Sequence, residues 1–289
     1  MVTLVDATLA HSRLSRDLLA HNVQLACVLE VSAPKAGNIT PAHDFTDTTY
    51  GDMVRSALAL GPVFARRRAR SRSVGEMIAD GVRATARVTA ANTNLGIVLL
   101  FAPLVRAEAT RRPGESLRAA TERVLAALDV DDAAAAFAAI VEAQPGGLGD
   151  APDHDVRSSA RVTLREAMAA AAHRDTIASE YATGYEVVFG TGVPLLADAL
   201  RDAGTLDAIA SLHIGLLASH VDTLIERKAG AAAAQAVSAA AREVRAGTRM
   251  PQEFDASLRE PDHRLNPGTT ADLVAATVLA ALLTGTKLP

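Results

Sequence analysis

Four short polar clusters hold most of the residues in this sequence that can do chemistry. The first runs from Glu30 through Pro34, Lys35 and Gly37 to Asn38. The second is Asn92-Thr93-Asn94-Leu95-Gly96. The third starts at His220 and carries Asp222, Thr223, Glu226, Arg227 and Lys228. The fourth holds Asn266, Gly268, Thr269, Thr270 and Asp272. Each falls at the end of a helical pattern. Helix N-termini offer unpaired N–H groups and a partial positive charge, so they hold phosphates well. Lys35, Arg227 and Lys228 add point charges. Asp44, Asp222 and Asp272 suit Mg²⁺, which prefers carboxylates, water and substrate phosphates. Together these parts can bind a nucleoside triphosphate without a Gly-rich strand-to-helix loop. Each cluster also has a plainer explanation. Thr93 or Asn94, and Thr269 or Thr270, are good helix caps. Asp222 to Lys228 reads equally as a solvated charged face, and Pro34 to Gly37 as an ordinary turn.

The elements that must carry these clusters read as helices throughout. Helical spacing of apolar residues spans Ser12–Val31, with Pro34 ending it. A polar stretch from Lys35 to Thr49 follows, longer than a connector needs. The next pattern covers Thr48–Arg68, ending in a basic run that complements the helix dipole. Ser73-Val-Gly-Glu76 is a capping box starting a helix to Ala90. The apolar run Ile97–Val105 predicts a central helix, kinked at Pro103. Helices are expected again at Ser116–Leu128 and Asp131–Ala143, with a loop at Gln144–Pro152. Thr163–Phe189 reads as one long helix with a polar middle. Val193–Ala203, Leu206–Ser219, Ala229–Arg245 and Thr270–Leu283 complete about ten helices. His213, on an apolar helix, reads as a core histidine rather than a ligand.

Composition agrees. The 289 residues are 49% hydrophobic, 21% charged and 3% aromatic, with no Trp. That excludes disorder and collagen-like sequences and favours an all-α protein in a single domain over residues 1–289. A net charge of -4 argues against general nucleic-acid binding. One cysteine rules out an intrachain disulfide. No apolar run reaches the roughly 20 residues of a membrane span, and the first residues lack a basic apolar leader, so the expectation is a cytoplasmic protein without a membrane partner. A homodimer is compatible with the sequence. Walker A, G-x-G-x-x-G, H-E-x-x-H and G-x-S-x-G motifs are all missing.

Taken in order, the four clusters resemble the triphosphoribosyl-dephospho-CoA synthase family. The matching residues are Glu30-Val31 with Pro34-Lys35-Ala36-Gly37, Asn92-Thr93 with Gly96, Asp222-Thr223 with Arg227, and Asn266-Pro267-Gly268 with Ala271-Asp272-Leu273. The resemblance spans nearly the whole chain; no one motif is specific, but four in order are. This sequence departs from the best-known members at Ala36, at Asn94-Leu95 and at Lys228-Ala229. Its tract from Arg174 to Glu186 looks more like a divergent branch of archaea and one-carbon-metabolising bacteria.

The resemblance implies an all-α enzyme that moves a (5-triphospho)ribosyl group from ATP to a small-molecule alcohol. Adenine leaves, and the acceptor is dephospho-CoA or a ribitol-bearing methanopterin-type precursor. It further implies an oxocarbenium-like transition state. Glu30 and Asp44 are then candidates to stabilise it and take the acceptor proton. Asn92 and Asn94 would hydrogen-bond either the adenine or the ribose. Lys35, Arg227 and Lys228 would meet the triphosphate with Mg²⁺, held by Asp222 and Asp272. Gly37, Asn38, Thr93, Gly96, Thr223, Asn266 and Gly268 would supply further substrate contacts. Two other readings stay open: a hydrolase releasing adenine or ADP-ribose, and a non-catalytic helical module whose motifs are caps.

Overall fold

The computed structural model describes residues 16–143 and 160–288, and among these it contains fifteen α-helices, one π-helical turn and no strand. The helices are α1 (Arg16–Ser32), α2 (Tyr50–Val63), α3 (Arg66–Ser71), α4 (Val74–Ala86), α5 (Leu95–Thr110), α6 (Leu117–Ala126), α7 (Val130–Ala143) and α8 (Leu164–Ala171). They continue as α9 (Thr176–Thr183), α10 (Val193–Ala199), α11 (Thr205–Ser219), α12 (Thr223–Ala229), α13 (Ala231–Arg245), α14 (Pro251–Leu258) and α15 (Gly268–Leu283). The all-α expectation holds, but about ten helices become fifteen. No single helix among the described residues is long and apolar enough to cross a membrane.

Local chemistry explains the difference. The pattern over Thr163–Phe189 is cut twice. Asp175 caps α9 by accepting from Ala178 N at 3.1 Å, and Gly184 ends it at φ 70°. Tyr185 follows, also left-handed at φ 61°. The π-helical turn Val187–Gly192 then starts under the buried Glu180 carboxylate, which accepts from Val187 N and Val188 N, both at 2.9 Å. The Thr48–Arg68 pattern breaks at Phe64-Ala65 into α2 and α3. The short helices α12 and α14 escape periodicity altogether. The capping box at Ser73 forms as expected. The expected loop at Gln144–Pro152 lies outside the described residues.

Helices α5 and α15 form the centre. Residues Leu100, Phe101, Leu104 and Val105 of α5 and Val274, Ala276 and Val278 of α15 are fully buried, and the two helices pack on each other. Around them lie α1, α3, α4, α6, α9 and α11. Pro103 stands inside α5 without ending it. It has no N–H for the Leu99 carbonyl, and Tyr181 supplies the missing donor through its hydroxyl at 2.6 Å. Tyr185 donates likewise to Leu100 O at 2.8 Å. Pro62 in α2 leaves the Leu58 carbonyl in the same position, and Gln24 Nε2 donates to it at 2.8 Å. In this way α9 is pinned to α5 at the depth of a proline gap. His213 is fully buried, as expected of a core residue, and burial holds its imidazole well below the usual range and so neutral.

Candidate active site

The C-terminal end of α1 carries Glu30, and the turn after Pro34 folds Lys35 back onto it. Lys35 Nζ lies 3.0 Å from Glu30 Oε1 and donates to the Glu30 carbonyl at 2.7 Å. Both side chains are almost wholly buried. Burial pushes the Glu30 carboxyl up, and the Lys35 ammonium opposes that rise. Gly37 turns the chain at φ 73°, where a Cβ would stand 2.8 Å from Leu258 Cβ. Its N–H donates to Asp255 Oδ1 at 2.8 Å. Asn38 donates through Nδ2 to Asn266 Oδ1 at 2.5 Å, tying the first cluster to the fourth.

The second cluster forms the entry to α5. Asn92 Oδ1 accepts from Leu95 N at 3.4 Å, and Thr93 donates to Ser56 Oγ at 2.6 Å. Asn94 is the α5 N-cap residue but makes no capping bond with its side chain; its Oδ1 accepts from Thr85 Oγ1 at 2.9 Å. Gly96 leaves room for a carboxylate: a Cβ there would lie 2.0 Å from Asp272 Oδ2. Asp272, in the first turns of α15, thus rests directly against the first turn of α5. Among the described residues its carboxylate has no hydrogen bond or ion pair. Burial, then the charges of Glu30, Asp222 and Asp175, push it well above the usual carboxylate range.

The first residues of the third cluster organise the site rather than line it. Asp222 Oδ1 accepts from Leu224 N at 2.9 Å and Ile225 N at 3.0 Å, capping α12. Its Oδ2 accepts from Thr270 N and Thr270 Oγ1, both at 2.7 Å, so the same carboxylate also caps α15. Thr223 Oγ1 accepts from Thr176 N and donates to Thr269 Oγ1, each at 3.3 Å, joining α9, α12 and α15. One turn further, Arg227 Nη1 meets Asp175 Oδ2 at 2.6 Å.

These elements enclose a cavity of about 960 Å³. It collects Glu30, Lys35 and Asn38 from the first cluster and Asn92, Thr93, Asn94 and Gly96 from the second. Arg227 and Lys228 come from the third, and Asn266, Gly268 and Asp272 from the fourth. Four expected residues lie outside its lining. Gly37 is packed under Leu258. Asp44 is exposed and turned to the start of α2, where Oδ1 accepts from Tyr50 N at 2.6 Å. Asp222 is buried with both oxygens committed to N–H and O–H donors, and so is not positioned as a metal ligand. Thr223 is buried in its threonine bridge.

The cavity also has walls that the clusters did not indicate. Arg174 and Asp175, between α8 and α9, stand beside Arg227. Phe137, Ile140 and Met168 make an apolar side from α7 and α8. Phe45 and His263 stack at the opposite edge, ring centroids 4.0 Å apart. Only the polar tract after His173 carried a sequence signal for any of these. Among the described residues no three His, Cys, Asp or Glu side chains converge as a metal cage.

Comparison with known proteins gives the same answer as the clusters. A solved structure from Archaeoglobus fulgidus, provisionally named a triphosphoribosyl-dephospho-CoA synthase, superposes with a TM-score of 0.64 at 25% identity. The match covers 80% of this chain and 99% of that one. No curated protein matches significantly. The sequence profile of the CitG family, described as ATP:dephospho-CoA triphosphoribosyl transferase, matches residues 16–288. With the family profile covering nearly its whole length, the chain belongs to the CitG family of ATP:dephospho-CoA triphosphoribosyl transferases, and is an enzyme of that family.

Proposed function

We propose that this enzyme moves the 5-triphosphoribosyl group of ATP onto an acceptor hydroxyl and releases adenine. One observation carries the reading: four turns far apart in sequence meet in a single cavity, with cations on the α9–α12 side and a partnerless carboxylate at the junction of α5 and α15. The C1′–N9 bond of ATP breaks, its electron pair leaving with adenine, and the acceptor oxygen bonds to C1′. Positive charge grows on the sugar meanwhile. Glu30, raised by burial and held in place by Lys35, takes the acceptor proton. Lys35 is committed to that carboxylate, so it positions the base rather than gripping phosphate. Arg174 and Lys228 are the cations left to meet the triphosphate, with Arg227 beside them shared with Asp175. Asn92, its Oδ1 engaged by Leu95 N, keeps its amide N–H groups for a ribose hydroxyl or the base.

Mg²⁺ fits this site without a protein cage, since it commonly uses one or two carboxylates plus substrate phosphates. Asp272, with no hydrogen bond or ion pair among the described residues, is the residue that would hold it, and the ion would neutralise polyphosphate charge there. Asp222 is not needed for that role.

The family points to dephospho-CoA as acceptor. The departures at Ala36, Leu95 and Lys228 keep a ribitol-bearing methanopterin-type alcohol as the second acceptor to test. The assay follows adenine by chromatography after incubation with ATP, Mg²⁺ and either alcohol. Adenine release that depends on an acceptor is the expected result. Release without acceptor would make the protein a hydrolase, and tight ATP binding with no release would make it a nucleotide-binding module.

A further inference from the structure

Adenine is a poor leaving group unless a ring nitrogen gains a proton as the glycosidic bond breaks. Three of the residues in the four clusters that line the cavity are not suited to deliver one. The amides of Asn92 and Asn94 donate hydrogen bonds but do not transfer protons. Lys35 is bound to Glu30.

His263 is different. It lines the cavity from the loop between α14 and α15, half-buried, with its ring stacked on Phe45 at 16° between planes. Its backbone is left-handed at φ 52°, and its N–H donates to Glu260 O at 3.0 Å. Across the cavity edge, Thr46 meets the ring twice. Thr46 N donates to Nε2 at 3.3 Å, and Thr46 Oγ1 lies 3.3 Å from the same atom. Thr46 therefore offers Nε2 a donor and an acceptor together. Nε2 thus has a partner whether it accepts from Thr46 N or, protonated, donates to Thr46 Oγ1, while Phe45 fixes the ring plane. Nδ1 has no hydrogen bond among the described residues. A histidine held in one orientation, with one ring nitrogen unengaged among the described residues, is the arrangement general acid catalysis needs.

We infer that His263 is the general acid of the transfer, donating the Nδ1 proton of its imidazolium to a ring nitrogen of the departing purine. The C1′–N9 electron pair withdraws into the base, the proton passes from Nδ1 to the base, and Nε2–H donates to Thr46 Oγ1. The acceptor's own proton goes separately to Glu30. This inference rests on the transferase reading above. The charged groups around the ring are Asp262 and Arg264 on its own loop, the Glu260 that pairs with Arg264, and Asp47 on the facing loop.

The test is His263→Asn, because asparagine tolerates the left-handed backbone and keeps polarity but transfers no proton. Adenine release is measured with ATP and whichever of the two acceptors supports turnover of the parent protein. The expected kcat falls about 100-fold, with KM for ATP little changed. The limb of the parent pH profile that falls as pH rises disappears in the variant, and free imidazole restores part of the rate. Equal rates and equal pH profiles in parent and variant would overturn the inference alone. So would a slower variant with the parent pH profile and no imidazole rescue, which would mark a structural role. No adenine from the parent with either acceptor overturns the transferase reading and this inference with it.

Discussion

Lys35→Met leaves the Glu30 carboxylate inside the protein with no cation beside it. Methionine keeps most of the apolar stem and loses both the 3.0 Å ion pair and the 2.7 Å bond to the Glu30 carbonyl. Removing one partner of a buried pair costs about 3–5 kcal/mol, out of a total stability of roughly 5–15 kcal/mol. At about 2–4 °C per kcal/mol for a chain of this size class, the melting temperature falls by roughly 6–20 °C. The loss depends on pH. Burial raises Glu30 and Lys35 opposes the rise, so without Lys35 the carboxyl titrates higher still. A carboxyl that titrates higher in the folded than in the unfolded protein binds more protons when folded. Stability then falls as pH climbs from the unfolded value toward the folded one. Parent and variant are therefore closest in mild acid and furthest apart at alkaline pH. Glu30→Gln in the Lys35→Met background removes the stranded charge and recovers most of the stability at pH 8. Thermal unfolding followed by circular dichroism at pH 5 and pH 8 reads all three proteins. An equal loss at both pH values, or a double variant no more stable than the single one, would refute the account of this pair.

Two further outcomes test the frame around the cavity. Gly96→Ala places a methyl group where Asp272 Oδ2 now rests, so the carboxylate must move; turnover should fall at least tenfold, while circular dichroism retains the parent helix content, and a fully active variant would show that Asp272 is not placed for function. Tyr181→Phe leaves the Leu99 carbonyl at Pro103 buried without a donor, which should lower the denaturant midpoint by the equivalent of about 1–3 kcal/mol with an unchanged slope.

The parts of the site that could be read from sequence are those made of local turns. Glu30 to Asn38 and Asn92 to Gly96 announce themselves because proline, glycine and asparagine mark where a helix must stop or start. Roles inside those turns are harder to read. An aspartate at a turn chooses between the cavity and a nearby backbone N–H, and local hydrogen bonding competes strongly. Asp44 went to Tyr50 N and Asp222 to four donors on two helices. Asp272 accepts from no such donor among the described residues and lines the cavity. The helix break after Ala171 was invisible to periodicity because the alanine-rich segment around it looks helical throughout, and the two breaks are decided by single residues, the cap Asp175 and the left-handed Gly184. Phe45 and His263 were illegible for another reason: their stacking joins residues more than two hundred positions apart, and nothing in either loop forecasts the other.

The charges around the cavity show why a partnerless Asp272 matters. Among the described lining residues, Lys35, Arg174, Arg227 and Lys228 face Glu30, Asp47, Asp175, Asp262 and Asp272. Lys35 and Arg227 are already spent on Glu30 and Asp175. Such a wall is no basin of positive charge, and a triphosphate brings roughly four more negative charges. In the proposed transfer two physical responses would balance it: a divalent cation shared between Asp272 and the phosphates, or a proton on Asp272, whose carboxyl is held in the neutral form by burial and acidic neighbours. Either response would tie donor binding to the junction of α5 and α15, where Asp272 rests against Gly96 and Asp222 caps α15. Under the proposed transfer, the scattered motifs would meet one electrostatic problem at Asp272, whose carboxylate has no hydrogen bond or ion pair among the described residues.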